Sequence, residues 1–351
     1  MAVVGHWSTL AEAEKLVQSV LLKGVVKTVI ESGHLLPRLP VKQITGKDLL
    51  FNREDSWTAS AGAGFYDIRE PISWTSDVTY TAVTVPLKRI VRQDPIDNFV
   101  RTTYNDPNDY LALMIEQLAK RMTRFIEDKI IYGDVTYGSA KEFDGLHALA
   151  EENPGDLDID EGEGALSLMN LRKLLDAMEV DTETDEGATG RDGMFILVPK
   201  EIGRRLDASV QEGAFVRSSV THSMGNLTFG RNDLGARQTF FDGVPIVRSS
   251  FLAAEQANTG VGSDVRAKRT SGTNMYTVFG VRTGQTEDGG LSLLFGGEGH
   301  EMGEVFKRTS FDKLEDYDSG GERLVAYLAL ALGAGRSVGR IFDVTDAEVT
   351  P

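Results

Sequence analysis

The stretch that most constrains this chain runs from Asp109 to Gly145. Apolar side chains recur at Leu111, Ile115, Leu118, Met122, Phe125 or Ile126, and Ile130, the spacing that draws one stripe down an α-helix. Lys120, Arg121, Arg124, Glu127 and Asp128 fill the other side. Helical rise makes this rod roughly 35 Å long, which is long for a globular protein. Asn105-Asp106-Pro107-Asn108 supplies the start signal and Gly133 the stop. Tyr132-Gly133-Asp134 and then Glu142-Phe143-Asp144-Gly145-Leu146 form a short polar link into a second region.

The rest of the chain has to supply the partners of that rod, and at 351 residues it is long enough for one large or two medium domains. An apolar content of 41% is that of a folded protein. No apolar run approaches ~20 residues, so no membrane span is expected, and no basic segment followed by an apolar stretch marks a signal peptide. Cysteine is absent, which excludes disulfides, thiolate nucleophiles and cysteine-ligated metal centres. The formal charge of −16 repels phosphate backbones unless bases are gathered into a patch. The densest basic cluster along the chain, Arg266 to Arg269, reads as a solvated loop.

Residues 1–45 read as an arm, with an amphipathic helix from Ser8-Thr9 and an extended path after Pro37 and Pro40. Residues 46–93 read as a long β-hairpin. Asp48–Arg53 is one strand, and its return, Val78–Leu87, is rich in β-branched and aromatic residues. So thin an apolar content cannot cover both faces of a two-stranded ribbon. Beyond the long helix, Leu166–Met178 and Lys200–Leu206 read as helices. Phe195–Val198, Gly243–Val247, Met275–Val281 and Leu291–Phe295 read as buried strands. Asp156–Gly164 reads as a solvated acidic loop, Glu304–Arg308 as a strand, and Glu322–Leu332 as a largely apolar run. Strands and helices around a sheet indicate α/β or α+β.

A long helix ending in Gly-Asp, followed by a Phe-Asp-Gly-Leu turn, resembles the spine helix and its exit in tailed-phage major capsid proteins. The run Asp242-Gly243-Val244-Pro245-Ile246-Val247 also looks like a central-domain strand of that family. The family has the Hong Kong 97 capsid fold, shared with encapsulin shells. The resemblance implies an α+β chain with an N-terminal arm (1–45), an extended β-hairpin loop (46–93), and a peripheral domain carrying the spine helix (94–145). An axial domain (146–300) and a return segment of the peripheral domain (301–351) follow. It further implies that arm and hairpin reach neighbouring subunits. The candidate contact residues are Arg53, Trp57, Asp67, Arg69 and Glu70.

Patterns suggesting chemistry fail on inspection. Gly335-Arg336-Ser337-Val338-Gly339 matches a nucleophile elbow, but no histidine follows it. Asp156-x-Asp158-x-Asp160 opens like a calcium loop, but Glu161 and Ser167 stand where glycine and the closing glutamate belong. His6, His34, His147, His222 and His300 form no close metal-ligand pair and read as isolated polar or packing residues. No catalytic residue, metal or cofactor is expected. Some family members cross-link a hairpin lysine to an asparagine of a neighbour. Lys47 sits at the hairpin base, but no asparagine follows Asn274, so no such bond is expected.

The leading expectation is a non-enzymatic capsid subunit that assembles with itself into pentamers and hexamers of an icosahedral shell. That shell, a virion capsid put together in the host cytoplasm, encloses double-stranded DNA without specific binding. Expected partners are a separate scaffolding protein (or a scaffolding region already cleaved), a portal and possible decoration proteins, with no membrane. The alternatives are an encapsulin-type nanocompartment and a small-molecule α/β enzyme.

Overall fold

The computed structural model describes residues 35–56, 66–71, 79–103, 110–136, 139–152, 155–179, 191, 193–216, 227–231, 237–258, 262–296, 306–311, 313 and 317–350. The first half holds β1 (Val41–Ile44), β2 (Asp48–Ser56), β3 (Thr79–Pro86), β4 (Lys88–Asp97), α1 (Asn98–Thr103), the long helix α2 (Tyr110–Tyr132) and α3 (Leu146–Glu151). Next come β5 (Asp158–Asp160), β6 (Ala165–Ser167), α4 (Leu168–Met178), β7 (Met194–Pro199), α5 (Lys200–Val216), β8 (Leu227–Arg231), β9 (Arg237–Phe241) and β10 (Val244–Ser249). The chain closes with β11 (Glu255–Asn258), β12 (Gly262–Lys268), β13 (Tyr276–Arg282), β14 (Leu291–Gly296), β15 (Lys307–Phe311), β16 (Ser319–Leu332) and β17 (Val338–Thr350).

Two sheets organise these elements. An eight-stranded mixed sheet runs β5-β17-β13-β7-β10-β9-β8, with β6 also on β17. Its centre is β7 and β13, apolar on both faces and therefore buried on both. Alternation sends Ile196, Val198, Val278 and Ile341 toward α4 and α5, and Phe195, Leu197, Phe279 and Val281 toward α2 and α3. Helix α4 starts where Ser167 accepts the Asn170 backbone N–H, a normal N-cap. It lies on Gly280 and Gly339, which pair across β13 and β17. A Cβ on Gly280 would sit 2.5 Å from Met178 Sδ, and one on Gly339 2.6 Å from Leu174 Cδ1. The glycine that completes the elbow-like pattern is thus the floor under a helix, and Ser337 is buried, donating to the Gly289 carbonyl.

A five-stranded sheet runs β1-β14-β16-β15, with β4 also on β16. The apolar run Glu322–Leu332 is the body of β16, fourteen residues that give both β4 and β14 a ladder. Leu118, Met122, Ile126 and Ile130 of α2 pack on Leu324, Ala326 and Leu328 of this sheet and on the inner face of the other. The helix stripe therefore builds one core shared by both sheets. Ile126, not Phe125, carries the stripe, while Phe125 faces solvent.

The pairings move several expected boundaries. β14 lies before residue 300 yet belongs with β16, and β17 lies after it yet belongs with β13. The hairpin ends at Pro86, because Lys88–Asp97 is β4 of the five-stranded sheet. The end of the expected arm is docked on its own subunit: Leu35 and Leu39 are buried, Pro37 lies in a short 3-10 turn, and β1 pairs with β14. Residues 1–34, with the expected arm helix, fall outside the described residues. Glu127, read as part of a polar face, is buried and accepts the Leu36 backbone N–H.

Candidate assembly surface

The ribbon β2–β3 pairs with no other strand among the described residues. Leu49 opposes Val85 and Phe51 opposes Val83 on one face, half-buried; Leu50 opposes Thr84 and Asn52 opposes Ala82 on the other, exposed. Leu49 and Val85 seat the ribbon base on Ile44, Leu294, Ala329 and Ala331 of the five-stranded sheet. On the outward face Leu50 and Tyr80 are each 66% exposed. That is a high value for large apolar side chains on a well-paired strand, and among the described residues it leaves this face without an apolar partner.

The candidate contact residues divide. Arg53 stands on the inner side of the ribbon, with Val83, Val85, Phe143, Asp144 and Glu152 around a cleft of about 270 Å³. There burial and then the neighbouring Asp144 push the Glu152 carboxyl upward, and the Arg53 charge opposes both. Arg53 thus faces a cleft of its own chain. Trp57 lies outside the described residues. Asp67, Arg69 and Glu70 form an exposed turn in which the Glu70 carboxylate accepts the Asp67 N–H at 2.9 Å and Arg69 adopts φ +78°. What that turn presents is Ile68, 95% exposed. The Glu70 carboxylate closes the turn, and the exposed isoleucine within it is a residue the sequence reading passed over. A second apolar pair, Phe99 and Tyr317, is exposed at the end of β4 and β16, where Asn98 bonds Asp318 through backbone and side chain.

The groups that most resemble a catalytic set lie elsewhere and are closed off. Glu255, 1% exposed, accepts from Tyr132 Oη at 2.7 Å and from the Thr277 hydroxyl, and contacts His147 Nε2 at 3.2 Å. Arg340, fully buried, donates to Asp158 at 2.6 and 3.1 Å and to His147 Nδ1 at 3.3 Å. Arginine only donates, so Nδ1 is the acceptor and Nε2–H points at Glu255. The imidazole stacks on Tyr132 and meets Phe279 edge-on. Every polar atom of this chain of contacts is spent on another, and together they tie the end of α2 to β11, β13 and β17. Asp158 is therefore not part of a solvated loop. The Arg266–Arg269 cluster is likewise no loop: Arg266 is buried on β12 against Asp343 and over Phe342, and Lys268 pairs with Asp128.

For Glu255 burial raises the pKa, but the His147 interaction and the hydrogen bonds from His147, Thr277 and Tyr132 overcome it, so the net shift is downward. A carboxylate held below its unfolded value adds stability above that value and loses it as pH falls through the folded one. The melting temperature is therefore expected to drop steeply below the usual carboxylate range, and Glu255→Gln to flatten that acid limb. An unchanged limb in the variant would count against the assignment.

No protein-family model matches the sequence, and no curated relative matches it either. Solved structures do match. The holo-SrpI encapsulin complex from Synechococcus elongatus PCC 7942 superposes with a TM-score of 0.63 at 13% identity, covering 97% of each chain. The capsid of the native GTA particle gives 0.59 at 10% identity over 95% of this chain and 98% of that one. The mature capsid of bacteriophage PhiM1 gives 0.52 at 10% identity, covering 100% and 97%. Identities this low carry the fold and nothing finer. This chain has the Hong Kong 97-type capsid fold.

Proposed function

We propose that this protein is the subunit of a closed shell, a major capsid protein forming pentamers and hexamers around double-stranded DNA in a virion. The observation that carries the reading is the ribbon: Leu50, Tyr80 and Ile68 sit in water in the isolated chain. Burying a large apolar side chain stabilises by about 1.5–3 kcal/mol, so a ring in which each ribbon lies on a neighbour recovers that at every contact. The role is structural rather than enzymatic. A scaffolding protein, a portal and decoration proteins are the partners such a shell takes during assembly in a host cytoplasm.

A second reading keeps the shell and changes the contents. Of the three superpositions above, the encapsulin has the highest TM-score. Mass spectrometry of purified particles separates the two, since a capsid contains DNA and a nanocompartment a protein cargo.

Leu50→Glu with Tyr80→Glu tests the shared claim. Both side chains stand in solvent, so the expected effect on folding is within about 0.5 kcal/mol, while particles are expected to be lost. A variant that melts normally and still yields particles would remove the ribbon from the assembly account.

A further inference from the structure

The basic residues that a linear reading scatters are brought together by the register of the five-stranded sheet. On β4, β16 and β15 the pairs Arg89–Tyr327, Gln93–Arg323, Val91–Val325–Lys307 and Gly321–Phe311 share one face, opposite the face covered by α2. The carboxylates Asp94 and Glu322 point the other way and are taken by Arg121 and Arg308. The only carboxylate on this face among the described residues is Asp97, at its far end, where it accepts the Phe99 N–H at 2.8 Å. Three cations with no acid between them stand out in a chain with 53 acidic and 37 basic residues. Arg89 and Lys307 are exposed. Arg323 is held by two donations to Gln93 Oε1, at 3.0 and 3.1 Å, and lies 4.4 Å over the Phe311 ring. That stack occupies the aromatic face, so the surface offers charge rather than a platform for bases. Strand spacing sets the three Cα atoms about 8–14 Å apart, within the span of successive phosphates on one duplex.

We infer that this face is a sequence-independent contact for the phosphate backbone of double-stranded DNA, and hence the side of the subunit turned toward the packaged genome. The orientation rests on the shell reading; the binding does not. With about three phosphates neutralised, log affinity falls against log salt with a slope of about −2.7, roughly 40-fold weaker for a fourfold rise in salt.

The test measures binding of wild-type protein to a short fluorescent DNA duplex across that salt range, beside Arg89→Gln/Lys307→Gln and the charge-matched control Lys141→Gln/Lys173→Gln. Arg323 is left intact because it is tied to Gln93 and Phe311. The face variant is expected to bind much more weakly at low salt, with a slope near −0.9, while the control keeps the wild-type slope. Equal loss in both variants, or no binding by wild type at low salt, would overturn the inference. Normal DNA binding by the face variant with failure to form particles would also overturn it and make the face a subunit contact. DNA binding that depends on Arg89 and Lys307 in a protein that forms no particles would sustain the contact and sink the shell reading instead.

Discussion

Gly133→Ala is expected to destabilise the protein by about 3 kcal/mol or more, read as a lowered urea midpoint of the far-UV signal. Neither Gly133 nor its partner Gly145 has a positive φ, so conformational freedom is not the reason they are glycines. They are where two backbones touch. A Cβ on Gly133 would lie 2.4 Å from the Phe143 carbonyl oxygen and 2.5 Å from that of Lys129. One on Gly145 would lie 2.7 and 2.8 Å from the carbonyl oxygens of Ile130 and Lys129. No side-chain rotation relieves a clash with a main chain, so α2 and the start of α3 must separate. They are held by the Gly145 N–H donating to the Gly133 carbonyl at 2.8 Å, the Lys129–Glu142 ion pair, and the Asp144 carboxylate accepting the Val135 N–H. Gly145→Ala is expected to cost a similar amount. The double substitution should cost less than the sum, because either methyl forces the same separation. A change within about 0.5 kcal/mol for Gly133→Ala would mean the contact is not there.

Arg340→Met should cost about 3–5 kcal/mol, because it leaves the Asp158 carboxylate and the His147 acceptor buried without their donor. The guanidinium has no exposure of its own and meets Asp158 with two parallel bonds. It is also 4.9 Å over the Phe342 ring, so methionine replaces part of the packing but none of the charge. Adding Asp158→Asn removes the stranded charge, and the pair of substitutions should be less damaging than Arg340→Met alone. If the double variant is simply additive, Arg340 contributes through packing and not through Asp158.

The helix α2 and the ribbon were legible because both announce themselves locally, one by a stripe repeated over 23 residues, the other by a β-branched return strand. The Tyr132-Gly133-Asp134 and Phe143-Asp144-Gly145 signatures were visible too, and their cause is the backbone contact described above. What local pattern hides is pairing across the chain. Glu127 looks solvated until Leu36, 91 residues away, is laid against it. Asp158 looks like one acid among many until Arg340 arrives from 182 residues further on. The boundary at residue 300 failed for the same reason, since β14 and β17 are assigned by partners that no periodicity reveals. Charge drew attention to the ribbon turn, yet Asp67 and Glu70 bond each other, and the exposed Ile68 was passed over. An isolated β-branched residue inside a polar turn was the available signal. The basic sheet face needed register as well, since Arg89, Lys307 and Arg323 come from three strands.

The central claim is that the uncovered ribbon exists to lie on another copy of the chain. Electron microscopy of the purified, untagged protein is the direct measurement. The account predicts closed hollow particles of uniform diameter, built from rings of subunits in which density for each ribbon crosses the adjoining subunit. Monodisperse single chains, with Leu50, Tyr80 and Ile68 folded against their own body, would contradict it.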